Sequence, residues 1–142
     1  MKKNLETSIV IHASAQKIWN ILTNFEKYPE WNPFVLSVSG EPAKGEKLKV
    51  NIQGMKLAPV VLVAEKETEF RWLGKFFIDG LFNGEHYFKL NENPDGTTKF
   101  THGELFSGVL TGLFAKTLET KTKTGFQNMN LSLKKRAESV IE

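Results

Sequence analysis

Apolar and polar residues alternate from residue 81 to residue 106, on both sides of a turn. A period of two residues is typical of β-strands that bury one face only. The run Asn93-Pro94-Asp95-Gly96 contains residue types that favour a tight turn, so the pattern predicts a β-hairpin. Its inward face is predicted to consist of Phe82, His86, Phe88, Leu90, Phe100, His102, Glu104 and Phe106.

The expected register of this hairpin brings like side chains together across the two strands. Aromatic cross-strand pairs stabilise a sheet, and one register satisfies every such pair. The expected pairs are Phe88 with Phe100, Phe82 with Phe106 and His86 with His102. The alternate side chains are then expected to face water, namely Asn83, Glu85, Tyr87, Lys89, Thr97, Lys99 and Thr101.

After Gly108 the apolar period changes from two residues to 3.6. This change predicts a helix of about 30 residues, ~45 Å long. Gly125 weakens the helix locally and is expected to mark a bend or a close approach to another element. The apolar stripe comprises Leu110, Phe114, Leu118, Thr122, Phe126, Met129, Leu133, Ala137 and Val140.

Before the hairpin, the pattern predicts one strand, a short helix and four further strands. The first strand, around residues 7–11, ends at the helix-start residue Ser14, and the prolines of segment 28–34 stop the helix. The next strands are expected at residues 35–39, around 48–52, at 57–65 and around 70–74.

This order of elements predicts an α+β fold with a curved, seven-stranded antiparallel sheet. One face of the sheet must be covered, and the long C-terminal helix is the only large element that can cover it. Because a twisted sheet curls, one helix can close its open side without filling it. We therefore expect a cavity between sheet and helix, although the same elements could also pack with no space left.

Length and composition indicate one domain, residues 1–142, that needs neither a metal nor a disulfide for stability. The chain has no cysteine, which excludes a thiolate zinc site and a cysteine nucleophile. The charged N-terminus leads into a strand instead of a signal-peptide core, and no apolar run approaches the ~18 residues of a membrane span. We expect a cytoplasmic protein without a cofactor.

The net charge of +3 arises near the C-terminus. Residues 1–110 carry 13 basic and 13 acidic groups, whereas residues 111–142 carry six basic and three acidic groups. The predicted C-terminal helix could contact an anionic membrane transiently, although a solvated helix face explains the same charge pattern. Nucleic-acid binding is not expected, because the chain has only two arginines. The six basic residues are Lys116, Lys121, Lys123, Lys134, Lys135 and Arg136.

Several short motifs follow one another in order along essentially the whole chain. They are Ile9-Val10-Ile11-His12-Ala13-Ser14-Ala15 with Trp19, Trp31-Asn32-Pro33, Arg71-Trp72, Gly84-Glu85-His86-Tyr87-Phe88, Thr101-His102-Gly103-Glu104 with Phe106-Ser107-Gly108, and Gly125-Phe126-Gln127-Asn128-Met129-Asn130 before Leu133-Lys134. Together they resemble the bacterial SRPBCC proteins, in the superfamily of START lipid-transfer domains, birch-pollen-type allergens and polyketide cyclases. The resemblance implies a helix-grip fold with a deep hydrophobic cavity under the C-terminal helix, and one such fold hosts many functions.

His86, His102 and Glu104 are the candidate polar groups of this cavity. Glu104 could orient an imidazole that acts as an acid or a base. Two histidines and a carboxylate also match the ligand count of a facial-triad metal site. Most buried polar groups are simply hydrogen bonded, however, so the three residues are also expected as a structural or ligand-orienting network, and no metal site is predicted.

The aromatic residues of the hairpin and of the strand before it are predicted to form the wall of the cavity, and the helix its lid. We expect a hydrophobic ligand such as a lipid, a polyketide or an aromatic compound. A cyclase-like enzyme that uses the polar trio, or an interaction protein similar to the chaperone-ATPase activators that share the fold, are the alternatives. The predicted ligand-binding residues are Phe70, Trp72, Phe82, His86, Phe88, Phe100, His102, Glu104, Phe106, Phe114, Leu118, Phe126 and Met129.

Overall fold

The computed structural model describes residues 2–76 and 81–139, and most of its strands belong to one antiparallel sheet. In spatial order, the strands of this larger sheet are β1 (Lys2–Ile11), β8 (Thr98–Ser107), β7 (Phe82–Glu92), β6 (Glu69–Phe76) and β5 (Val60–Glu65). The chain therefore starts at the edge next to the last strand, which places the hairpin β7–β8 in the middle of the sheet.

A second, smaller sheet contains β2 (Val35–Ser39), β3 (Lys49–Ile52) and β4 (Met55–Leu57). The described residues thus form eight strands in two sheets instead of the expected seven in one. The apolar run 57–65 divides at Pro59, which has no N–H to donate to a strand ladder. The two sheets stay connected, because Leu48 N donates to Pro59 O at 2.8 Å and Val61 N donates to Glu46 O at 2.9 Å.

Two helical regions flank the strands. The first contains α1 (Ala15–Thr23), a 3-10 turn (Phe25–Lys27) and α2 (Tyr28–Trp31). The predicted start of α1 is confirmed, because the Ser14 hydroxyl accepts a hydrogen bond from Lys17 N at 3.2 Å. No helix in the described part of the chain combines the length and the hydropathy that crossing a membrane requires.

The second helical region, at the C-terminal end, is continuous but not uniform. It consists of α3 (Thr111–Thr117), a π-helical segment (Leu118–Thr122) and α4 (Lys123–Glu138). The long helix predicted after Gly108 is confirmed, whereas the π-helical turn was not expected from the apolar period. Val140, the last residue of the predicted stripe, lies outside the described residues.

The core lies between α4 and the larger sheet. α4 packs on β1 and β8, and it buries Phe126, Met129 and Leu133 completely. The close approach expected at Gly125 is confirmed, because a Cβ atom there would lie 2.5 Å from Cδ1 of Phe34. This contact brings the segment before β2 against the helix, and the rings of Phe34 and Phe126 meet edge to face at 5.4 Å.

The predicted register of the β7–β8 hairpin is wrong by two residues. Gly96 has a positive φ of 89°, and its N–H donates to Asn93 O at 3.0 Å, while Asn93 N donates to Thr97 O at 2.7 Å. The loop therefore has three residues and ends in a left-handed glycine, which shifts the partner of every residue. The observed pairs are His86 with Glu104, Phe88 with His102, Leu90 with Phe100 and Gly84 with Phe106.

Two of the side chains expected to face water are buried on the outer side of the sheet. Tyr87 lies over Gly103, where a Cβ atom would collide with its ring, and its hydroxyl donates to Glu6 Oε1 at 2.7 Å. Thr101 is also buried. The missing side chain at Gly103 leaves room for the tyrosine ring, so this face is not uniformly solvated.

Candidate functional site

The observed register places Glu104 directly opposite His86 at the centre of the sheet. His86 Nδ1 and Glu104 Oε1 are 3.0 Å apart, and both side chains are buried. The imidazole of His86 is held between aromatic rings, because it stacks on Trp72 with ring centroids 5.1 Å apart. Two of the three predicted polar residues are therefore in direct contact.

His102 extends this contact into a chain of buried hydrogen bonds. Its Nε2 lies 2.8 Å from Nε2 of His86, and its Nδ1 lies 2.9 Å from Oδ1 of Asn130. Asn130 Nδ2 donates to Thr7 Oγ1 at 2.8 Å, and Thr7 Oγ1 donates to the backbone oxygen of His102 at 3.0 Å. We call these five residues the polar network: Thr7, His86, His102, Glu104 and Asn130.

The structure thus brings the predicted trio together and adds two residues that sequence analysis did not select. Asn130 lies beside Met129 on the buried face of α4, and Thr7 lies on the inward face of β1. In both cases the sequence contained one usable signal, a polar residue on an otherwise apolar face. Neither residue is close in sequence to the trio, so only the packing of α4 on β1 and β8 shows the connection.

Burial of the imidazole lowers the pKa of His102 well below 6.5, and the neighbouring His86 adds to this effect. The ring of His102 stacks on Phe126 at 4.1 Å and has no exposed surface. Its hydrogen bonds with Asn130 and the backbone of Phe126 act in the opposite direction, but burial is the larger cause. His102 is therefore a neutral imidazole at neutral pH.

The expected cavity lies at one end of the space between the larger sheet and the C-terminal helical region. Its volume is about 320 Å³, and its wall is mostly apolar. Strands β6 to β8 form one side, the smaller sheet a second side, and α3 with the π-helical segment the third. The lining residues are Phe34, Ile52, Gln53, Met55, Phe76, Phe82, Glu104, Phe106, Phe114, Thr117, Leu118 and Thr122.

Glu104 is the point where the polar network meets this cavity, since it is the one member of the network in the cavity wall. Its side chain lies over Gly84, where a Cβ atom would collide with Oε2 and would also lie 3.1 Å from Phe76. Oε1 is turned to His86, which lies behind the wall. Oε2 therefore lies over Gly84 on the side away from His86, towards Phe76 of the cavity wall.

The structure divides the predicted ligand-binding residues into two groups. Phe82, Glu104, Phe106, Phe114 and Leu118 line the cavity. The others do not, because side chains of α4 and of the aromatic strands fill that part of the interior. These others are buried in the core outside the wall, and their contact with a ligand stays a prediction: Phe70, Trp72, His86, Phe88, Phe100, His102, Phe126 and Met129.

The smaller sheet contributes three residues to the wall that the sequence pattern did not indicate. Ile52, Gln53 and Met55 lie at the turn between β3 and β4, which folds over the cavity. Gln53 adopts a positive φ of 51° in this turn. Alternation alone could not show which strands would separate into a second sheet, so these residues carried no usable signal.

Within residues 2–76 and 81–139, no group of three His, Asp or Glu side chains is placed to hold a metal ion. In the polar network, both nitrogens of His86 are directed at side-chain partners, Glu104 and His102.

The basic residues of the C-terminal helical region are spread over several surroundings. Lys116, Lys121 and Lys135 are exposed, whereas Lys134 donates to Glu138 Oε2 at 2.6 Å and Arg136 donates to Glu30 Oε1 at 3.0 Å. Part of the positive charge is therefore paired locally, and contact with an anionic membrane stays a prediction.

Several solved structures share this arrangement of sheet and helix. A hypothetical protein from Helicobacter pylori is 13% identical, with a TM-score of 0.81, and the match covers 96% of this chain and 88% of that chain. A START superfamily protein from Mycobacterium smegmatis is 20% identical, with a TM-score of 0.70 and coverage of 95% and 97%. The Zhui aromatase/cyclase from Streptomyces sp. R1128 is 12% identical, with a TM-score of 0.75 and coverage of 100% and 97%.

These similarities establish the fold that the sequence motifs predicted. No curated protein sequence matches the chain. The sequence model of the family described as "Polyketide cyclase / dehydrase and lipid transport" matches residues 2–138. Because this match spans nearly the whole chain, the protein belongs to the polyketide cyclase/dehydrase and lipid transport family.

Proposed function

We propose that the protein binds a hydrophobic small molecule, such as a lipid, a polyketide or an aromatic compound, in the cavity between the sheet and the C-terminal helical region. The observation that supports this proposal is a mostly apolar cavity wall that contains one carboxyl group. Apolar walls provide affinity, and a few placed polar groups orient the ligand.

The size of the hydrophobic contribution is sufficient for useful affinity. Burial of about 300 Å² of apolar ligand surface contributes roughly 7 kcal/mol before the cost of association. The phenylalanine rings that line the cavity suit flat or chain-like molecules. Phe82 and Phe106, for example, stack at 5.4 Å with nearly parallel planes and present a flat surface.

A cavity-blocking variant tests this proposal. In Thr117→Trp, an indole is placed at a cavity-lining position, whereas Thr120→Trp places it on the same helical region outside the lining. We expect 2-naphthol to raise the thermal midpoint of the wild type and of Thr120→Trp, and to have little effect on Thr117→Trp. Native mass spectrometry of freshly purified protein would identify a ligand that co-purifies. Equal responses of all three proteins would contradict binding at this site.

Acid–base catalysis similar to that of polyketide cyclases or dehydrases is the second candidate function. The observation that favours it is the position of Glu104 in the cavity wall, with His86 and His102 hydrogen bonded behind it. A carboxyl group in this position can accept a proton from a bound carbonyl compound. Turnover should then be lost in Glu104→Gln or His86→Ala while ligand affinity changes only a few fold, and a variant that retains turnover would exclude this candidate.

An interaction role similar to that of chaperone-ATPase activators is the weakest of the three alternatives. It requires a filled interior and a functional outer surface. The open volume beneath α3 weighs against it.

A further inference from the structure

The hydrogen-bond donors and acceptors of the polar network can be assigned from its far end, at Thr7. The backbone oxygen of His102 can only accept, so the single proton of the Thr7 hydroxyl is used in that bond. Thr7 Oγ1 must then accept from Asn130, which turns Nδ2 of the amide to Thr7 and Oδ1 to His102. The orientation of the Asn130 amide is therefore determined by a backbone carbonyl.

This orientation determines the tautomer of His102. Asn130 Oδ1 accepts, so Nδ1 of His102 carries a hydrogen. Since His102 is neutral, its Nε2 has no hydrogen and accepts from Nε2 of His86 at 2.8 Å.

The contact between His86 and Glu104 then contains one proton. With Nε2 of His86 protonated, the 3.0 Å contact from Nδ1 to Oε1 is either imidazolium with carboxylate or imidazole with carboxylic acid. In both arrangements the proton lies between Nδ1 and Oε1, and the pair has no net charge. A second proton on Oε2 would leave a buried imidazolium without a counter-charge, which burial opposes.

Both arrangements leave Oε2 of Glu104 without a proton. We propose that the cavity presents this oxygen as a hydrogen-bond acceptor only, and that the protein selects an apolar ligand with a neutral hydrogen-bond donor, such as a hydroxyl, over one with a carboxylate. This inference rests on the proposed function and adds a ligand class to it. A ligand carboxylate at this position would place its lone pairs against those of Oε2 and would bury a negative charge without a counter-charge.

Three naphthalene derivatives with one skeleton test the inference: 2-naphthol, 2-methylnaphthalene and 2-naphthoate. They differ in whether position 2 donates a hydrogen bond, is apolar or is anionic. We expect the wild type to bind 2-naphthol roughly tenfold more tightly than 2-methylnaphthalene, because one hydrogen bond to a polar acceptor contributes about 1.4 kcal/mol. 2-Naphthoate should bind more weakly than 2-naphthol. Affinities would be measured by isothermal titration calorimetry.

Two substitutions of Glu104 separate an acceptor from a charge. Glu104→Met removes the acceptor and should reduce the tenfold preference for 2-naphthol to about one. Glu104→Gln should keep the preference. With a hydrogen on Nε2, the neutral ring of His86 can only accept at Nδ1, so the amide nitrogen of the glutamine donates to it and the amide oxygen takes the place of Oε2. Thr117→Val removes another polar group of the wall and serves as the control, with an unchanged preference.

The outcomes distinguish this inference from the proposed function. Binding of all three compounds with no preference for 2-naphthol, or the same preference in Glu104→Met and wild type, would overturn the inference while leaving the binding function in place. If none of the compounds binds, the proposed function fails at this site. The assigned positions of the ring hydrogens are tested separately by ¹⁵N NMR of the histidine rings. A hydrogen on Nε2 of His102 in place of Nδ1 would overturn the assignment.

Discussion

The two ends of the space between sheet and helix differ although the same strands and the same helical region border both. Under α4, the rings of Phe88, Phe100 and Phe126 fill the interior, and the two histidines are enclosed among them. Under α3 and the π-helical segment, the interior opens into the cavity. A helix-grip fold therefore does not by itself determine how much of its interior is empty.

Local contacts explain this difference. At the closed end, Gly125 allows Phe34 to approach the helix backbone, so the segment before β2 closes the gap. At the open end, Gly84 has no side chain, and the carboxyl group of Glu104 occupies the space above it. One glycine brings an aromatic ring into the core, and the other provides room for a polar group at the cavity wall.

Truncation of an aromatic ring should show the largest contrast between the two ends. Phe126→Ala removes a completely buried ring from the closed end and should lower the free energy of unfolding by about 3–5 kcal/mol. Phe114→Ala removes a half-buried ring from the cavity wall and should cost clearly less, about 1–2 kcal/mol. Urea denaturation of both variants measures the difference. Equal losses would contradict the division into a packed and an open end.

Substitution of the two glycines tests the local explanation. In Gly125→Ala, the new methyl group meets the rigid ring of Phe34 at 2.5 Å, so stability should fall by about 1–2 kcal/mol despite the better helix propensity of alanine. In Gly84→Ala, the methyl group meets the end of the flexible Glu104 side chain, so stability should change less. Affinity for 2-naphthol should instead decrease in Gly84→Ala. Calorimetric melting and titration distinguish these two responses.

The histidine enclosed at the closed end predicts a pH dependence of stability. Because burial lowers the pKa of His102 below its value of about 6.5 in the unfolded chain, the unfolded state binds more protons below pH 6.5. The free energy of unfolding should therefore be highest above pH 6.5 and should decrease by about 1.4 kcal/mol per pH unit below it. His102→Gln should flatten this slope, and an unchanged slope would refute the assignment.

The carboxyl groups at the surface act in a lower pH range and do not obscure this effect. Hydrogen bonds and ion pairs with Lys3, Lys134 and Arg136 lower the pKa of Glu119, Glu138 and Glu30, respectively, below 4.5. Their contribution is present above pH 4.5 and is lost only as the pH falls below it. Urea denaturation between pH 5 and pH 7.5 therefore avoids the contribution of these three carboxyl groups.

The smallest effect is expected on the outside of the open end. Leu113 in α3 is 75% exposed, whereas Leu133 in α4 is fully buried. Leu113→Ser should change the free energy of unfolding by no more than about 0.5 kcal/mol, while Leu133→Ala should cost about 2–5 kcal/mol. A large loss in Leu113→Ser would mean that α3 is packed more tightly than its exposure indicates.

Sequence patterns predicted the elements better than their pairing. Alternation and the 3.6-residue period located the hairpin and the C-terminal helix, because these periods follow from backbone geometry. The register failed at Gly96, since a left-handed residue adds to the loop without changing the alternation. The geometry of the turn determined the strand pairing, and the preference of aromatic rings for each other across the hairpin did not.

The sequence predicted the three polar residues of the trio, but neither their further partners nor the extent of the cavity. The trio His86, His102 and Glu104 was visible because polar residues interrupt an aromatic face. Asn130 and Thr7 became partners only through contacts between distant parts of the chain. The volume of the cavity depends on how far α4 side chains fill the interior, and that property belongs to the packed structure.

Because of the π-helical turn at Leu118–Thr122, the shape of the cavity depends on the number of residues in the C-terminal helical region. Such a turn contains one more residue than an α-helical turn, so deletion of a single residue would restore α-helical geometry. With α4 held on the sheet, α3 would then rotate by about 100° around the helix axis relative to α4. Phe114 and Thr117 would leave the cavity wall, while the aromatic core under α4 would keep its contacts. Insertions and deletions at this turn could therefore change what the cavity binds with little loss of stability.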